Sequence, residues 1–166
     1  MTEPKSTLIC DIETDGLNAS VVHVIVGYDT LQGKFFVLDN QETMAKDAQA
    51  LFNNYDRVVG HNFIQFDAPV LRNVLGVDLP HDKIWDTLVV SRMAHIDMKQ
   101  HSLEAWGELL GYAKVEHEDW SVYTSEMLHR CKTDVELNYK LYNKLMKDVK
   151  SYSELSLRIE FYMAKM

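Results

Sequence analysis

The sequence has few cysteines, no long apolar run and no flexible linker. Among its 166 residues only Cys10 and Cys131 are cysteines, and neither lies in a metal-binding spacing. A disulfide framework is therefore excluded, and two reduced thiols are typical of a cytoplasmic protein. No apolar run approaches the roughly 20 residues that span a bilayer, and no secretion signal precedes the first strand, so we expect no membrane partner. Without repeats or linkers, the chain is expected to form one domain.

Acidic residues outnumber basic ones, and the formal net charge is −8. Proteins that coat DNA without sequence preference usually carry a basic face, and this balance argues against that class. A nuclease is not excluded. An enzyme that recruits divalent cations with carboxylates is locally acidic, and the cations supply the charge that meets phosphate.

The hydrophobic pattern predicts strands in the first half of the chain and mainly helices in the second. Strands are predicted over 7–13, 21–29, 34–39 and 57–62, and a strand passing into a helix over 84–95. Helices are predicted over 42–55, 67–76, 102–112, 125–149 and 153–166. This order indicates an α/β fold with a central mixed β-sheet flanked by α-helices. We assign residues 1–150 to the main domain and 151–166 to a C-terminal helix.

The segment "LICDIETDGL" (8–17) leads an apolar strand directly into carboxylates. Side chains two positions apart on a strand share a face, so Asp11 and Glu13 are expected to project together. Two carboxylates at that spacing repel each other unless a cation, a proton or a basic residue lies between them. The alternative is a strand end with solvated acids.

Two further acids occur in separate predicted elements. Asp67 in "GHNFIQFDAPVL" (60–71) stands at a helix start, where an N-cap is the alternative. Asp134 in "HRCKTDVELNY" (129–139) lies within an apolar-striped helix, where a solvent-facing side chain is the alternative. Metal-dependent phosphoryl hydrolysis requires carboxylates from several elements, and the hard ions Mg²⁺ and Mn²⁺ prefer oxygen ligands.

This order of acids resembles the DEDD (DnaQ-like) superfamily of 3′–5′ exonucleases, which share an RNase H-like fold. "DIETDGL", "NFIQFDAPVL" and "HRCKTDVELN" are similar to its three motifs. "IWDTLVVSRMAH" (84–95) and "HSLEAWGELLG" (101–111) resemble segments of the proofreading domain of phage family A DNA polymerases. The resemblance implies a location in the cytosol of a bacterium or of a phage-infected host.

The resemblance also implies roles for individual residues. Asp11, Glu13 and Asp134 would ligate one divalent ion, and Asp11 would bridge to a second that Asp67 helps to position. Both ions would be Mg²⁺ or Mn²⁺. Leu17 would wedge against the terminal base, although a core leucine is the alternative. The implied substrate contacts are Ile12, Thr14, Asp15, Gly16, Leu17, Asn62 and Phe66.

The fifth catalytic residue of the family is either a tyrosine four positions before the last aspartate or a histidine five before it. Here these positions are Arg130 and His129, so the sequence fits the histidine branch, with His129 as general base. Residues five apart lie about 140° around a regular helix. We therefore expect the helix to begin after about residue 129. The alternative is a surface His129 on a longer helix, with Arg130 facing the phosphate; Arg130 and Lys114 are the best candidate cations.

These features predict a metal-dependent exonuclease that acts on a single-stranded DNA 3′ end and releases nucleoside monophosphates. It would proofread for a DNA polymerase region or subunit. One alternative is a free-standing exonuclease for RNA or oligonucleotides. Another is a catalytically idle subunit that docks on a polymerase through its C-terminal helix. Asp86 and Trp106 are interpreted as packing or hydrogen-bonding residues.

Overall fold

The computed structural model describes residues 4–112 and 117–166. Five strands form one mixed sheet in the order β3-β2-β1-β4-β5. β1 pairs antiparallel with β2, and β2 with β3, whereas β4 pairs parallel with both β1 and β5. The strands are β1 (Thr7–Thr14), β2 (Val22–Asp29), β3 (Lys34–Leu38), β4 (Arg57–Gly60) and β5 (Ile84–Asp86).

Six α-helices flank this sheet in the described part of the chain, so the predicted α/β architecture with a mixed sheet is confirmed. The longest helix, α5, packs against β1 and β2. The helices are α1 (Met44–Asn53), α2 (Ala68–Leu75), α3 (Thr87–Ala94), α4 (Leu103–Leu110), α5 (Ser125–Asp148) and α6 (Glu154–Lys165).

The core lies on both faces of the central strands, and α5 covers one of them. Ile9 of β1, on the same face as Asp11, is fully buried, as are Leu141 and Leu145 of α5, and Leu8 is fully buried on the opposite face. The apolar stripe predicted along α5 therefore faces the sheet. Each such side chain contributes roughly 1.5–3 kcal/mol relative to an exposed position, which holds α5 firmly against β1.

Helix α5 begins at Ser125, as the pattern over 125–149 predicts, so the later start expected from the position of His129, after about residue 129, is wrong. Thr124 caps it, with its Oγ1 accepting a hydrogen bond from the Met127 N–H at 3.2 Å. Met127 is also fully buried, so packing stabilises the first turn as well. His129 consequently lies in regular helix, and its side chain is exposed.

The chain between β4 and α2 follows an unusual path. Asn62 adopts a left-handed conformation with φ 57°, and residues Phe63–Asp67 form a single π-helical turn. Asp86 at the end of β5 holds this segment, accepting hydrogen bonds from the N–H groups of Asn62 and Ile64, both at 3.0 Å. Short π-helical turns are frequent at functional sites.

Asp86 also accepts from the N–H of Leu88 at 2.9 Å and so caps α3. Trp106 donates through Nε1 to the Ser91 hydroxyl at 2.8 Å. The interpretation of both residues as packing or hydrogen-bonding residues is confirmed.

Helix α6 packs its buried Leu157 and Phe161 against β5, α3 and the π-helical turn. Its opposite side carries the exposed residues Leu155, Ile159, Tyr162 and Met163. Among the described residues, none of the helices has both the length and the hydropathy needed to cross a bilayer.

The close approach of Gly60 to Phe63 predicts a stability defect. A Cβ at Gly60 would lie 2.3 Å from Phe63 Cδ2 and 2.7 Å from Phe63 Cβ. Because the ring is packed in the core, Gly60→Ala should lower the free energy of unfolding by about 1–3 kcal/mol in urea denaturation.

Gly107→Ala is the matched control for this change. Its Cβ would lie 3.2 Å from the flexible end of Leu137 and at ordinary contact distance from Tyr112, with the carbonyl oxygen at 3.5 Å, within a helix that favours alanine. Its stability should stay within about 1 kcal/mol of the unmodified protein. Equal stabilities of the two variants would show that the Gly60 contact does not constrain the chain.

Candidate active site

The site begins at the end of β1, where Asp11 and Glu13 face α5. The ladder with β2 shifts register between Glu13 and Thr14, a bulge that ends regular pairing at the second acid. The Cys131 thiol of α5 lies 3.5 Å from Asp11 Oδ2. Ligand atoms of Asp11, Glu13 and Cys131 all lie within 4.8 Å of one another, so the two acids do project together.

Asp67 reaches the same place from the π-helical turn. Its side chain is 4% exposed and makes no capping hydrogen bond to α2, so the N-cap alternative is wrong. The π-helical turn that carries Asp67 contacts β1, and the charge of Glu13 on β1 helps to raise the pKa of Asp67, so this carboxyl group lies beside β1. Within the described chain, Asp67 Oδ2 has no hydrogen-bond partner. A buried carboxylate oxygen without a partner is costly unless a ligand satisfies it.

Asp134 joins the site through Arg130, one helical turn earlier on α5. The Arg130 Nε lies 3.8 Å from Asp134 Oδ2 and 3.9 Å from Glu13 Oε1. Its guanidinium stacks on the Trp120 ring, with 4.5 Å between the guanidinium carbon and the ring centroid. Arg130 thus partly neutralises two of the four acids.

Burial and mutual repulsion perturb all four carboxyl groups. Burial first, and then the charges of Glu13, Asp67 and Asp134, raise the pKa of Asp11 well above its usual value. Burial raises the pKa of Glu13 to about 7, although Arg130 opposes the change. Burial likewise raises the pKa of Asp67 and of Asp134. Because the charged forms are disfavoured together, the cluster favours the binding of cations.

These residues fit a divalent metal centre. They offer hard oxygen ligands from three separate elements, and Asp67 contributes a buried oxygen that has no hydrogen-bond partner among the described residues. Mg²⁺ and Mn²⁺ are held by such carboxylate sets.

An apolar cavity of about 370 Å³ opens beside Glu13. Leu17 at its edge is 90% exposed, so the alternative of a core leucine is wrong. Five predicted substrate contacts line the cavity, namely Ile12, Thr14, Gly16, Leu17 and Phe66, together with Glu13 and Trp120. Sequence reasoning missed Trp120, and the only signal for it was an aromatic residue isolated in a polar stretch.

Two other predicted contacts have structural tasks instead of lining this cavity. Asp15 accepts hydrogen bonds from the N–H groups of Ser20 and Val21, at 2.9 and 3.0 Å, and closes the turn after β1. The Ser20 hydroxyl is the main reason why the pKa of Asp15 falls to about 2. Asn62 supplies the left-handed residue that opens the π-helical turn.

The structure places Arg130, but not His129, at the carboxylates. Arg130 lies at the carboxylates, whereas Lys114 is outside the described residues. His129 lies five positions before Asp134 in regular helix, about 140° around the axis, and it is exposed. His129 was expected to reach the metal centre only if the helix began after it, and the helix begins before it.

With this geometry established, comparison with known proteins decides the family. A family model described as the RNase_H superfamily matches residues 8–118. The chain belongs to the RNase_H superfamily. Its mixed sheet, with acids at the end of the central strand, is the RNase H-like fold that the sequence motifs implied.

Relatives of this RNase_H-superfamily chain confirm the resemblance to phage polymerases and exonucleases. The DNA-directed DNA polymerase of Enterobacteria phage T3 is 27% identical over 187 aligned positions, covering 85% of this chain. The chain spans only 27% of that polymerase's length.

Two solved nuclease structures share the fold. Brucella melitensis NrnC has a TM-score of 0.74 at 19% identity, covering 96% of this chain and 81% of NrnC. Its forms with pGG and with bound Mg²⁺ give TM-scores of 0.73 and 0.69. Escherichia coli RNase D, an exoribonuclease involved in structured RNA processing, has a TM-score of 0.66 at 18% identity, covering 96% and 45% of the two chains.

The raised pKa of Glu13 predicts that the metal-free protein loses stability as pH rises. The folded state holds the Glu13 proton up to about pH 7, whereas an unfolded glutamate releases its proton near the ordinary glutamate pKa of 4.5. The folded state therefore binds more protons between these values, and stability falls across that window. In EDTA, urea denaturation should show a decrease of up to about 3 kcal/mol from pH 5 to 7.5 attributable to this group.

Glu13→Gln should flatten this pH dependence, because the amide cannot titrate. Glu136→Gln, which changes an exposed carboxyl group on α5, should leave it unchanged. A Glu13→Gln profile that follows the unmodified protein would contradict the assignment.

Proposed function

We propose that the protein is a metal-dependent 3′–5′ exonuclease that hydrolyses phosphodiester bonds at DNA 3′ ends and releases nucleoside monophosphates. The observation that carries this proposal is the convergence of Asp11, Glu13, Asp67 and Asp134 beside the apolar cavity. Two Mg²⁺ or Mn²⁺ ions held by these acids would activate water and stabilise the departing oxygen.

The cavity walls suit the base of a single-stranded terminus. Leu17, Phe66 and Trp120 present apolar surface beside Glu13. Bases stack on aromatic and apolar side chains without regard to sequence, each aromatic contact contributing roughly 1–3 kcal/mol. A terminal base held here would bring its phosphodiester towards the carboxylates.

Arg130 is proposed to contact the phosphate at the scissile bond. Its Nε is buried and lacks a hydrogen-bond partner among the described residues, although the side chain sits between Glu13 and Asp134. A guanidinium stays protonated and cannot act as a base, but its planar fork matches phosphate oxygens. The Trp120 ring lies against the guanidinium and orients it at the edge of the cavity. A base role for His129 would require the first turns of α5 to unwind.

Proofreading is the biological setting that we propose. The similarity to a phage DNA-directed DNA polymerase supports a partnership with a polymerase region or subunit, and α6 would be the connecting element. The two free thiols are compatible with the proposed cytoplasmic location.

A second candidate function is trimming of RNA or short oligonucleotides. Structures of NrnC bound to pGG and of the exoribonuclease RNase D share this fold. Stacking walls bind ribose and deoxyribose nucleotides alike, since the 2′-hydroxyl is distinguished by hydrogen bonds rather than by stacking.

Loss of a single carboxylate should abolish the activity. A 5′-labelled DNA strand should shorten from its 3′ end with Mg²⁺ and stay intact in EDTA. Asp11→Asn and Asp67→Asn should each lower the rate at least about 100-fold, because each removes a carboxylate that would hold the cations that stabilise the transition state. The measurement is the product ladder over time, from a gel.

Asp47→Asn, an exposed change in the first turn of α1, is the matched control and should keep full activity. RNA strands of the same sequence should be run in parallel. Faster shortening of RNA than of DNA would favour the second candidate. No Mg²⁺-dependent shortening of either strand would contradict both and favour an idle docking subunit.

Paired substitutions distinguish the roles of Arg130 and His129 on α5. Arg130→Gln should lower kcat by about 10²–10³-fold, because it removes the phosphate contact, and Arg130→Lys should recover part of the loss. His129→Ala should leave kcat unchanged. The readout is the single-turnover rate at saturating Mg²⁺.

The reverse result, in which only His129→Ala abolishes turnover, would overturn the Arg130 proposal. It would show that α5 unwinds when substrate binds.

A further inference from the structure

Cys131 lies at the carboxylate centre, yet neither the motif resemblance nor the proposed reaction uses it. The side chain is fully buried, and Sγ lies 3.5 Å from Asp11 Oδ2 and 3.7 Å from the Asp11 carbonyl oxygen. It precedes Asp134 by three positions on α5, so both side chains are neighbours on the helix surface. The thiol therefore borders the oxygen ligands of the proposed metal centre.

The distance between Cys131 Sγ and Asp11 Oδ2 matches two ligands of a single tetrahedral ion. With a metal–sulfur bond of about 2.3 Å and a metal–oxygen bond of about 2.1 Å, two such ligands lie about 3.6 Å apart. The Cys131 Sγ to Asp11 Oδ2 distance is 3.5 Å, and a Glu13 oxygen lies within 4.8 Å of both. The thiol proton, donated to Asp11, occupies the place that a cation would take.

An independent observation also indicates a cation at this position. Asp67 is buried, and its Oδ2 has no hydrogen-bond partner within the described residues. The π-helical turn that carries Asp67 packs against β1, the strand of Asp11 and Glu13. An unpartnered carboxylate oxygen is thus present beside the strand that supplies two of the three ligands.

We propose that Cys131, Asp11 and Glu13 form a binding site for a thiophilic divalent cation such as Cd²⁺ or Zn²⁺. On binding, the Cys131 thiol releases its proton to solvent and the thiolate becomes a ligand. Hard ions such as Mg²⁺ use the oxygen ligands alone, whereas soft ions gain the sulfur. Thiophilic cations therefore compete with Mg²⁺ for Asp11 and Glu13.

This inference shares its carboxylates with the proposed exonuclease, but it requires no hydrolysis. Its test is a titration of the metal-free protein with Cd²⁺, followed by the ultraviolet charge-transfer absorption of a cadmium–thiolate bond. One Cd²⁺ per chain should produce this band. Prior addition of excess Mg²⁺ should shift the titration to higher Cd²⁺ concentration.

Two cysteine variants distinguish Cd²⁺ binding at this site from non-specific binding to a thiol. Cys131→Ser keeps a hydroxyl of similar size beside Asp11, so Mg²⁺ binding measured by calorimetry should remain. The charge-transfer band should disappear and Cd²⁺ affinity should fall at least about 10-fold. Cys10→Ala removes the other buried thiol, which points to the opposite face of β1, and should keep the band. Circular dichroism checks that both variants are folded, and Cys131→Ala serves if the serine is not tolerated.

A band that persists without the Cys131 thiol, or that is absent from the unmodified protein, would overturn this inference. A normal Cd²⁺ titration in a protein without nuclease activity would overturn the proposed function alone. Mg²⁺-dependent hydrolysis that resists Cd²⁺, with no band, would overturn only the thiophilic site.

Discussion

The repulsion among four buried or half-buried carboxyl groups around the end of β1 is the constraint on which the rest of the structure depends. Asp11 and Glu13 are close because a strand places alternate residues on one face, and Asp67 and Asp134 add charge from separate elements. Such a cluster is unfavourable in a folded chain without a counter-charge. The surrounding fold tolerates it because the core between β1, β2 and α5 supplies the opposing stability.

The supporting structure positions these charges at fixed distances. Asp86 holds the π-helical turn by its backbone, and this turn presents Asp67 without a capping bond. Arg130 lies between Glu13 and Asp134 and stacks on Trp120, which joins the carboxylates to the apolar cavity. A charge centre and a base-sized cavity are therefore built by the same few elements. This combination is what the proposed phosphodiester hydrolysis by this RNase_H-superfamily chain rests on.

Much of the fold was predictable from local pattern. Continuous apolar runs and Gly-containing turns indicated β1 to β4, and the four-residue repeat of leucines indicated α5. The local pattern predicted α5 over 125–149 correctly, whereas the start after about residue 129, inferred from the spacing of the family motif, was wrong because Thr124 caps the helix and Met127 is buried in its first turn. Local capping and packing determine where a helix begins.

The sequence by itself determined the residue types of the site, their order, and the pairing of Asp11 with Glu13 on one strand face. Alternation on a strand is a local property, so it can be derived without the fold. Only the tertiary structure decided which side chains surround these acids. Arg130 rather than His129 lies against them, Trp120 closes the cavity, and Cys131 contacts Asp11. Each of these contacts joins segments that are distant in the chain, and their distances depend on how α5 and the preceding segment pack on β1.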